Sequence, residues 1–291
     1  MSFARLKEIT DISNEEKIPF WEVVIRDDMK ERNVSREASF QTMDGMLTAM
    51  EEADRSYSPE LKSASGLAGG DGAKLEAAHH ENSRLVGDFI AEVMERAVKM
   101  GESNACMKRI VAMPTAGSCG VIPAVIITYM KQKGVDRHRI VEALYVAGGI
   151  GEVIAASASI AGAEGGCQAE IGSASAMAAG AIAYLEGGDN EEIVHASALA
   201  LKNMLGLTCD PVAGLVEVPC IKRNVSGAVN AVVSSRMAMS GIRSAIEPDE
   251  VIDSMRRIGK LMPACLRETG EDGLASTKSG IAIANKIAKV L

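Results

Sequence analysis

The chain has 291 residues, a formal net charge of −8 and 47% apolar residues, and only 3% of its residues are aromatic. This length allows one large domain or two ordinary ones, with a sizeable core built from Ala, Val, Ile, Leu and Met. The acidic balance argues against sequence-independent nucleic-acid binding, which needs Lys and Arg on phosphates.

The N-terminal segment has no apolar run followed by a small-residue cleavage site, so we expect no secretory signal. The apolar stretch 141–185 contains no uninterrupted membrane-length run. Four glutamates interrupt it: Glu142, Glu152, Glu164 and Glu170. We therefore expect a cytoplasmic protein with no membrane partner. In that compartment, cysteines are more often metal ligands, catalytic groups or core residues than disulfides.

Signals for helix starts are frequent along the chain, whereas the period-two alternation of strands is scarce. Ser13 with Glu16 fits a capping box that opens a long amphipathic segment. An N-cap Asp, an acidic first turn or a proline at the first position predicts three further helices. Their expected spans are 136–146, 189–206 and 248–259.

Four glycines stand where helices are expected to end: Gly101, Gly134, Gly187 and Gly241. We predict an all-α fold, a single large helical catalytic domain over residues 1–291. Its parts are an N-terminal helical segment at 1–56, a flexible loop or lid at 57–73, and a core at 74–291.

Gly-rich segments interrupt the helical pattern and are candidates for function, because glycine lets the backbone approach a ligand closely. They are "SASGLAGGDGAKL" (63–75), "PTAGSCGVIPAV" (114–125), "AGAEGGCQAEIGSASAMAAG" (161–180) and "GLTCDPVAGLVEVPCIKRN" (206–224). A weaker one, "LRETGEDGLASTKSG", lies near the C-terminus.

Six cysteines are distributed along the chain, and three of them lie in Gly- or Pro-punctuated segments: Cys167, Cys209 and Cys220. Their spacing lacks the paired knuckles of a zinc ribbon and the tight run of a ferredoxin. A convergence of three thiolates on a soft metal centre is one interpretation, and buried core thiols are the other. Pro211 and Pro219 predict a largely non-helical segment between Cys209 and Cys220.

The remaining cysteines favour a structural interpretation. Cys106 and Cys265 lie near expected helix ends, and free cysteine often behaves as a small buried hydrophobe. Cys119 lies in the turn "GSCG", where a lone cysteine is a weak signal.

The segments 161–180 and 206–224 resemble the two cysteine motifs of the iron–sulfur-dependent L-serine dehydratases. The segments 114–125 and 63–75 resemble two further motifs of the alpha, or catalytic, part of that family. The similarity covers nearly the whole chain. It implies a mainly α catalytic domain that converts L-serine to pyruvate and ammonia without pyridoxal phosphate, in amino-acid catabolism and gluconeogenesis.

The resemblance also implies a [4Fe–4S] cluster held by three cysteines, which fall on Cys167, Cys209 and Cys220. One iron would then be open to act as a Lewis acid on the substrate hydroxyl. A chain with only the catalytic part resembles the alpha subunit of two-chain forms. Their beta subunit carries a Ser-rich, His-containing motif and often an ACT domain, so a beta subunit is an expected partner.

Two departures from the family pattern affect the expected site. The family commonly has Glu where this chain has Lys222, so a substrate role at that position is not expected, and Arg223 and Asn224 remain substrate-binding candidates. Some single-chain members end in a cysteine that can reach the cluster, whereas this chain ends "NKIAKVL". We therefore expect the open iron to be available to L-serine.

The general base is not identified by the motifs. Glu164 and Glu170 flank Cys167, and Asp210 follows Cys209, so each is a candidate to remove the α-proton. The alternative for each is a solvated or capping carboxylate, because perturbed carboxylates also arise structurally.

Three other side chains are candidates for binding the substrate carboxylate. Thr115 and Ser118 precede a helix expected at Val121, where hydroxyls and amides bind anions, or they merely cap that helix. Lys74 follows a Gly-Gly-Asp turn and would pair with the same carboxylate, or it is a surface lysine.

Three other functions remain open from the residues alone. The same β-elimination chemistry would serve a cysteine desulfidase or a related amino-acid lyase. A non-enzymatic iron–sulfur sensor would need an output surface, and the acidic chain shows no basic DNA-binding helix. A helical domain with buried cysteines and no metal is the simplest alternative.

Overall fold

The computed structural model describes residues 3–80 and 85–289. It is 68% helical, and in the described residues it has no strand or sheet, which confirms the all-α prediction. The α-helices in chain order are α1 (Leu6–Glu16), α2 (Phe20–Arg32), α3 (Arg36–Arg55), α4 (Asp71–His80), α5 (Gly87–Ala105), α6 (Val121–Lys133), α7 (Arg137–Ser157), α8 (Gly162–Gly165), α9 (Ser173–Leu185), α10 (Asn190–Lys202), α11 (Cys220–Ala238), α12 (Pro248–Leu261) and α13 (Lys278–Ile287). Short turns of other helix types are the π-helical turn Gln168–Gly172 and the 3-10 turns Val212–Gly214 and Ala264–Leu266.

Helix α9 forms the centre of the molecule. It is apolar on all sides, and every residue in it except Tyr184 is buried, as expected for a helix without a polar face. Helices α7, α10, α11 and α6 pack around it. A Cβ at Gly180 would lie 2.2 Å from Ile150 Cδ1, so the missing side chain lets α7 approach closely. This aliphatic core matches the low aromatic content.

Helix α7 is the one described helix that is long and apolar enough to cross a membrane by length and composition. However, 67% of its most apolar window is buried inside the molecule. It packs against α9 and α2, which is the position of a core helix.

The start of α1 differs from the sequence prediction. Ser13 lies inside α1, near its end, and donates to Ile18 O at 2.5 Å, so the predicted cap at Ser13 is wrong. The helix begins at Leu6 because the apolar pattern extends upstream of Ser13. Its first amides are satisfied by carboxylates, with Arg5 N 3.2 Å from Glu8 Oε2 and Leu6 N 2.7 Å from Asp249 Oδ1.

The other three predicted helix starts are confirmed. Asp136 caps α7 and accepts from His138 N at 2.8 Å, and Asp189 caps α10 in a capping box with Glu192. Pro248 is the first residue of α12. The capping signals identify these starts because they depend on local chemistry alone.

The helix ends are predicted less well. Gly134 ends α6 in the left-handed conformation, and Gly187 follows the end of α9. Helix α7 continues to Ser157 rather than Val146, because its later residues are also packed in the core. Gly101 lies inside α5, where a Cβ would come 3.1 Å from Ile221 Cγ2, so its role is close packing rather than helix termination.

The loop between α3 and α4, within the predicted lid at 57–73, is anchored to α5 by Glu102. This carboxylate is 1% exposed and accepts four hydrogen bonds. The donors are Tyr57 Oη (2.7 Å) and the backbone amides of Gly69 (3.1 Å), Asp71 (2.8 Å) and Gly72 (3.1 Å). A buried carboxylate therefore organises the loop and the first turn of α4.

Candidate functional site

Cys167, Cys209 and Cys220 are all buried. They lie close enough together for the charge of Cys167 to contribute to the raised pKa of the other two. Burial raises the pKa of Cys167 to about 11 and that of Cys220 to about 12. The pKa of Cys209 is raised first by burial and then by the charges of Cys167 and Glu170. The pKa of the buried Cys119 is raised to about 12 by burial, and no other thiol contributes to the shift. The structure thus brings together the three cysteines that the motifs single out.

Cys167 is positioned by a tight turn and an unusual helix start. Gly166 has φ +73, and a Cβ there would lie 2.6 Å from Met262 Sδ, so only glycine suits this position. The π-helical turn 168–172 follows and leads into α9. Such turns are frequent at functional sites. Residues three apart share a helix face, which places Glu170 beside Cys167.

Cys209 is held by a short pairing with the C-terminal loop. Its amide donates to Leu266 O at 2.8 Å, and its carbonyl accepts from Glu268 N at 2.7 Å. The segment "LRETGEDGLASTKSG" therefore contributes directly to the site.

Cys220 is the first residue of α11. Between Cys209 and Cys220, the chain forms turns and a single 3-10 turn at Val212–Gly214, within which Ala213 has φ 57. This confirms the prediction of a largely non-helical segment.

Among the three candidate bases, Glu170 is the one that lies at the thiols. One of its oxygens accepts from Thr115 Oγ1 at 2.8 Å, and the other lies 3.9 Å from Cys209 Sγ. Burial raises the pKa of Glu170, the charge of Glu268 raises it further, and the hydrogen bond from Thr115 opposes the shift. The arrangement provides a half-buried carboxylate with a fixed orientation.

The other two candidate bases have different settings. Glu164 is exposed on the short α8 turn. Asp210 is buried, and its oxygens accept from Arg223 Nη2 and Leu274 N, both at 2.9 Å. These contacts give Asp210 a structural role, since both oxygens are occupied.

Arg223 supplies positive charge to the thiol site. Its guanidinium donates to Thr208 O at 2.6 Å as well as to Asp210. Its charge lowers the pKa of Cys167 against the larger effect of burial. Arg223 therefore fixes the residues on either side of Cys209 and favours the thiolate form of Cys167.

Of the remaining candidates for substrate binding, Thr115 and Ser118 lie at the site. Their hydroxyls are 3.1 Å apart, just before α6, and Thr115 contacts Glu170. Asn224 is 1% exposed, and backbone groups bind both its amide oxygen and its amide nitrogen. These contacts are Gly120 N (2.8 Å), Gly117 O (2.8 Å) and Cys220 O (3.0 Å). Asn224 thus joins two loops of the site, and both of its amide N–H groups are already bound to backbone carbonyls.

Lys74 does not lie with the thiols. It is exposed on α4, and its ammonium group lies 2.7 Å from Asp71 Oδ1. Lys222, the departure from the family pattern, binds the other oxygen of the same carboxylate at 2.6 Å. Both lysines therefore belong to a surface ion-pair group at the start of α4, which is the surface role expected as the alternative for Lys74.

Glu268 is not among the site residues that the sequence predicts. Its carboxylate, the Glu170 carboxylate and the Cys209 thiol form a group whose atoms lie within 4.8 Å of one another. The signal available was the weaker Gly-punctuated segment at 266–280, which contains Glu268. Sequence spacing alone did not connect this segment to Cys209.

Comparison with known proteins gives consistent matches. The family model described as "Serine dehydratase alpha chain" matches residues 15–275. The chain is 46% identical over 285 residues to the probable L-serine dehydratase alpha chain of Bacillus subtilis, covering 98% of this chain and 95% of the relative. It is 38% identical over 279 residues to the L-serine dehydratase alpha chain of Peptoniphilus asaccharolyticus, covering 94% of each. Against L-serine dehydratase 2 of Escherichia coli it is 46% identical over 184 residues, covering 62% of this chain and 40% of that protein.

Proposed function

The chain belongs to the serine dehydratase alpha chain family, and from that premise we propose that it is the catalytic subunit of an L-serine dehydratase. The reaction is removal of water from L-serine, followed by release of pyruvate and ammonia. The observation that carries the proposal is the fixed carboxylate of Glu170 beside three buried thiols. This pairing provides a base and a soft donor set in one place.

The three cysteines fit an iron–sulfur cluster by their chemistry. Thiolates are the donors that such clusters favour. Buried thiols resist ionisation, and both Arg223 and a bound metal offset that cost. We propose that Cys167, Cys209 and Cys220 hold a [4Fe–4S] cluster, which when bound would supply Lewis-acid assistance to the departing hydroxide.

In this proposal, Glu170 removes the α-proton of L-serine. A general base must lie within hydrogen-bond reach of its proton and be held in orientation, and the bond from Thr115 holds Glu170. Loss of the α-proton and of the β-hydroxyl as water gives aminoacrylate. That product tautomerises to an imine, which water hydrolyses to pyruvate and ammonia.

The substrate carboxylate is assigned to the start of α6. Thr115 and Ser118 place hydroxyls there, and the N-terminus of a helix attracts anions through its free amides and dipole. The reaction is proposed to proceed without pyridoxal phosphate. In support, Lys74 and Lys222, which lie in the motifs 63–75 and 206–224, pair with Asp71 and are not placed for a Schiff base.

A second subunit completes the proposed enzyme. Two of the relatives are named as alpha chains, which implies a separate beta chain. The match to the Escherichia coli relative covers 40% of that protein, so the remainder has room for a second part in the same polypeptide. We propose a beta partner with a Ser/His motif and an ACT domain, and a cytoplasmic complex.

The proposal is tested by pyruvate release from the anaerobically reconstituted complex of this chain with its beta subunit. We expect turnover of L-serine in preference to L-cysteine. Glu170→Gln should lower kcat by about 10²–10⁴-fold, the usual contribution of a general base, without loss of bound iron. Glu164→Gln is the matched control, since Glu164 is exposed. Iron-loaded complex that releases no pyruvate from L-serine, or prefers L-cysteine, would refute the proposal.

A further inference from the structure

Glu268 places a second carboxylate at the thiol site. A carboxylate oxygen of Glu268 lies within 4.8 Å of both the Cys209 thiol and a Glu170 carboxylate oxygen. Among the described residues, the Glu268 carboxylate has no hydrogen-bond or ion-pair partner, and the residue is exposed at the edge of the site. A charged group at this position is available to a ligand.

The backbone at Glu268 has an unusual conformation that its neighbours hold in place. Its φ of +66 is in the left-handed region, where a residue with a side chain is strained. A glycine would adopt this conformation without strain. Such conformations persist where the surrounding structure enforces them, and four other non-glycine residues of the described chain also adopt one. Here the bond from Glu268 N to Cys209 O, at 2.7 Å, enforces the conformation.

The space beside the two carboxylates is kept open by Gly162. A Cβ at Gly162 would lie 2.8 Å from Glu170 Oε2 and 3.0 Å from Glu268 Oε2. Two neighbouring carboxylates repel each other and favour a cation at the site. The guanidinium of Arg223 is already bound to Asp210 and to a backbone carbonyl. In the proposed reaction, L-serine itself supplies a cation, its α-ammonium group.

We propose that Glu268 binds the α-ammonium group of L-serine, while Glu170 faces the α-hydrogen on the adjoining bond. This inference rests on the proposed function. It makes Glu268 a specificity residue that selects an amino acid over the corresponding hydroxy acid. L-glycerate is the matched probe, because it keeps the carboxylate and the β-hydroxyl and replaces the ammonium group with a hydroxyl.

The test compares KM for L-serine with the inhibition constant of L-glycerate in the iron-loaded two-chain enzyme. Glu268→Gln should raise KM for L-serine about 10–100-fold, as expected for loss of a charged hydrogen bond. It should change kcat little, and it should leave the L-glycerate constant unchanged or lower. Glu268→Asp should recover part of the L-serine affinity. Glu271→Gln is the control, because Glu271 lies in the same exposed loop and makes no contact with the thiols.

Glu268→Gly separates recognition from folding, because glycine suits the φ of +66. It should keep iron content and stability while losing affinity for L-serine. The inference is wrong if KM for L-serine and the inhibition constant of L-glycerate rise equally in the Gln and Gly variants. It is also wrong if neither constant changes. The proposed function is tested separately, by turnover of L-serine in the unmodified enzyme. Failure of the Glu268 inference can therefore be distinguished from failure of the proposed function.

Discussion

Ser63 and Glu217 join two loops that lie 154 residues apart, with the Ser63 hydroxyl 2.7 Å from Glu217 Oε2. Ser65 donates to the same oxygen at 2.8 Å. Glu217 is 6% exposed and lies in the segment between Cys209 and Cys220. The loop of the predicted lid is therefore a structural support of the cysteine site.

The first prediction concerns this support. Ser63→Ala should lower the free energy of unfolding by about 1–3 kcal/mol, because a buried carboxylate loses a hydrogen bond. It should also lower the iron retained after reconstitution. Urea unfolding and iron analysis measure the two effects. Ser58→Ala is the control in the same loop, since the Ser58 hydroxyl makes no hydrogen bond in the described structure. Equal behaviour of the two variants would contradict the role assigned to Ser63.

Asn224 leads to the second prediction, which concerns stability rather than substrate affinity. Asn224→Ala removes three hydrogen bonds and leaves Gly120 N without its partner. We expect a loss of about 2–3 kcal/mol in the free energy of unfolding. Asn104→Ala is the control, because Asn104 donates to the same loop from an exposed position, at 3.2 Å from Ala116 O. Unchanged stability with a raised KM for L-serine would instead support substrate binding by Asn224.

The third prediction is a pH dependence from Asp71. Hydrogen bonds from Lys222 and then Lys74 lower the pKa of Asp71 from 3.8 to about 2. Because the folded-state pKa is lowered, the stabilisation is complete above the unfolded value near 3.8 and is lost as the pH falls through about 2. The Asp71 side chain is 35% exposed, so the contribution of the ion pairs to stability is about 0.5–1 kcal/mol after screening.

Lys222→Gln tests this dependence. Its loss of stability relative to the unmodified chain should be present at pH 6 and shrink as the pH approaches 2. Lys222→Glu should lose more, because it places two like charges together. Urea unfolding across the pH range measures the difference, with the exposed Lys108→Gln as control. A difference that stays constant with pH would exclude the ion pair as its cause.

Features that depend on neighbours in the chain are visible in the sequence, and features that depend on long-range packing are not. Capping at Asp136 and Asp189 is visible in sequence, because the cap and its amide are neighbours in the chain. The false cap at Ser13 has the same pattern, and only the packing of Leu6 and Ile9 in the core shows that the helix starts earlier. Local chemistry therefore predicts three of the four helix starts, and tertiary packing overrides it at Ser13.

The candidate site shows the same contrast between local and long-range features. The motifs identify Cys167, Cys209 and Cys220, but the placement of Glu268 depends on pairing between residues far apart in sequence. Asn224 is part of a matching motif, yet its contacts show that it joins loops. Lys74 and Lys222 also belong to motifs, yet both pair with Asp71 on the surface, so the partners of a residue show its role better than motif membership does.

The cysteines provide the fourth prediction, because the chain contains its own controls. Alanine at Cys167, Cys209 or Cys220 should reduce bound iron and sulfide after anaerobic reconstitution to background, since three thiolates supply the proposed ligands. Cys119→Ala should keep the iron, although Cys119 is as buried as the three cysteines. Its thiol makes only a weak contact with Met100 O, at 3.8 Å.

If these cysteines were only buried core residues, Cys119→Ala and Cys209→Ala would bind the same amount of iron. A metal site predicts that only Cys209→Ala loses iron. The difference must appear in iron content and visible absorbance and not only in activity, because any destabilised variant loses activity. Urea unfolding of the iron-free chains supplies the remaining comparison. There the two variants should differ by less than about 1 kcal/mol, since each removes one buried sulfur. Retention of iron by Cys209→Ala at the level of Cys119→Ala would assign these thiols to the core.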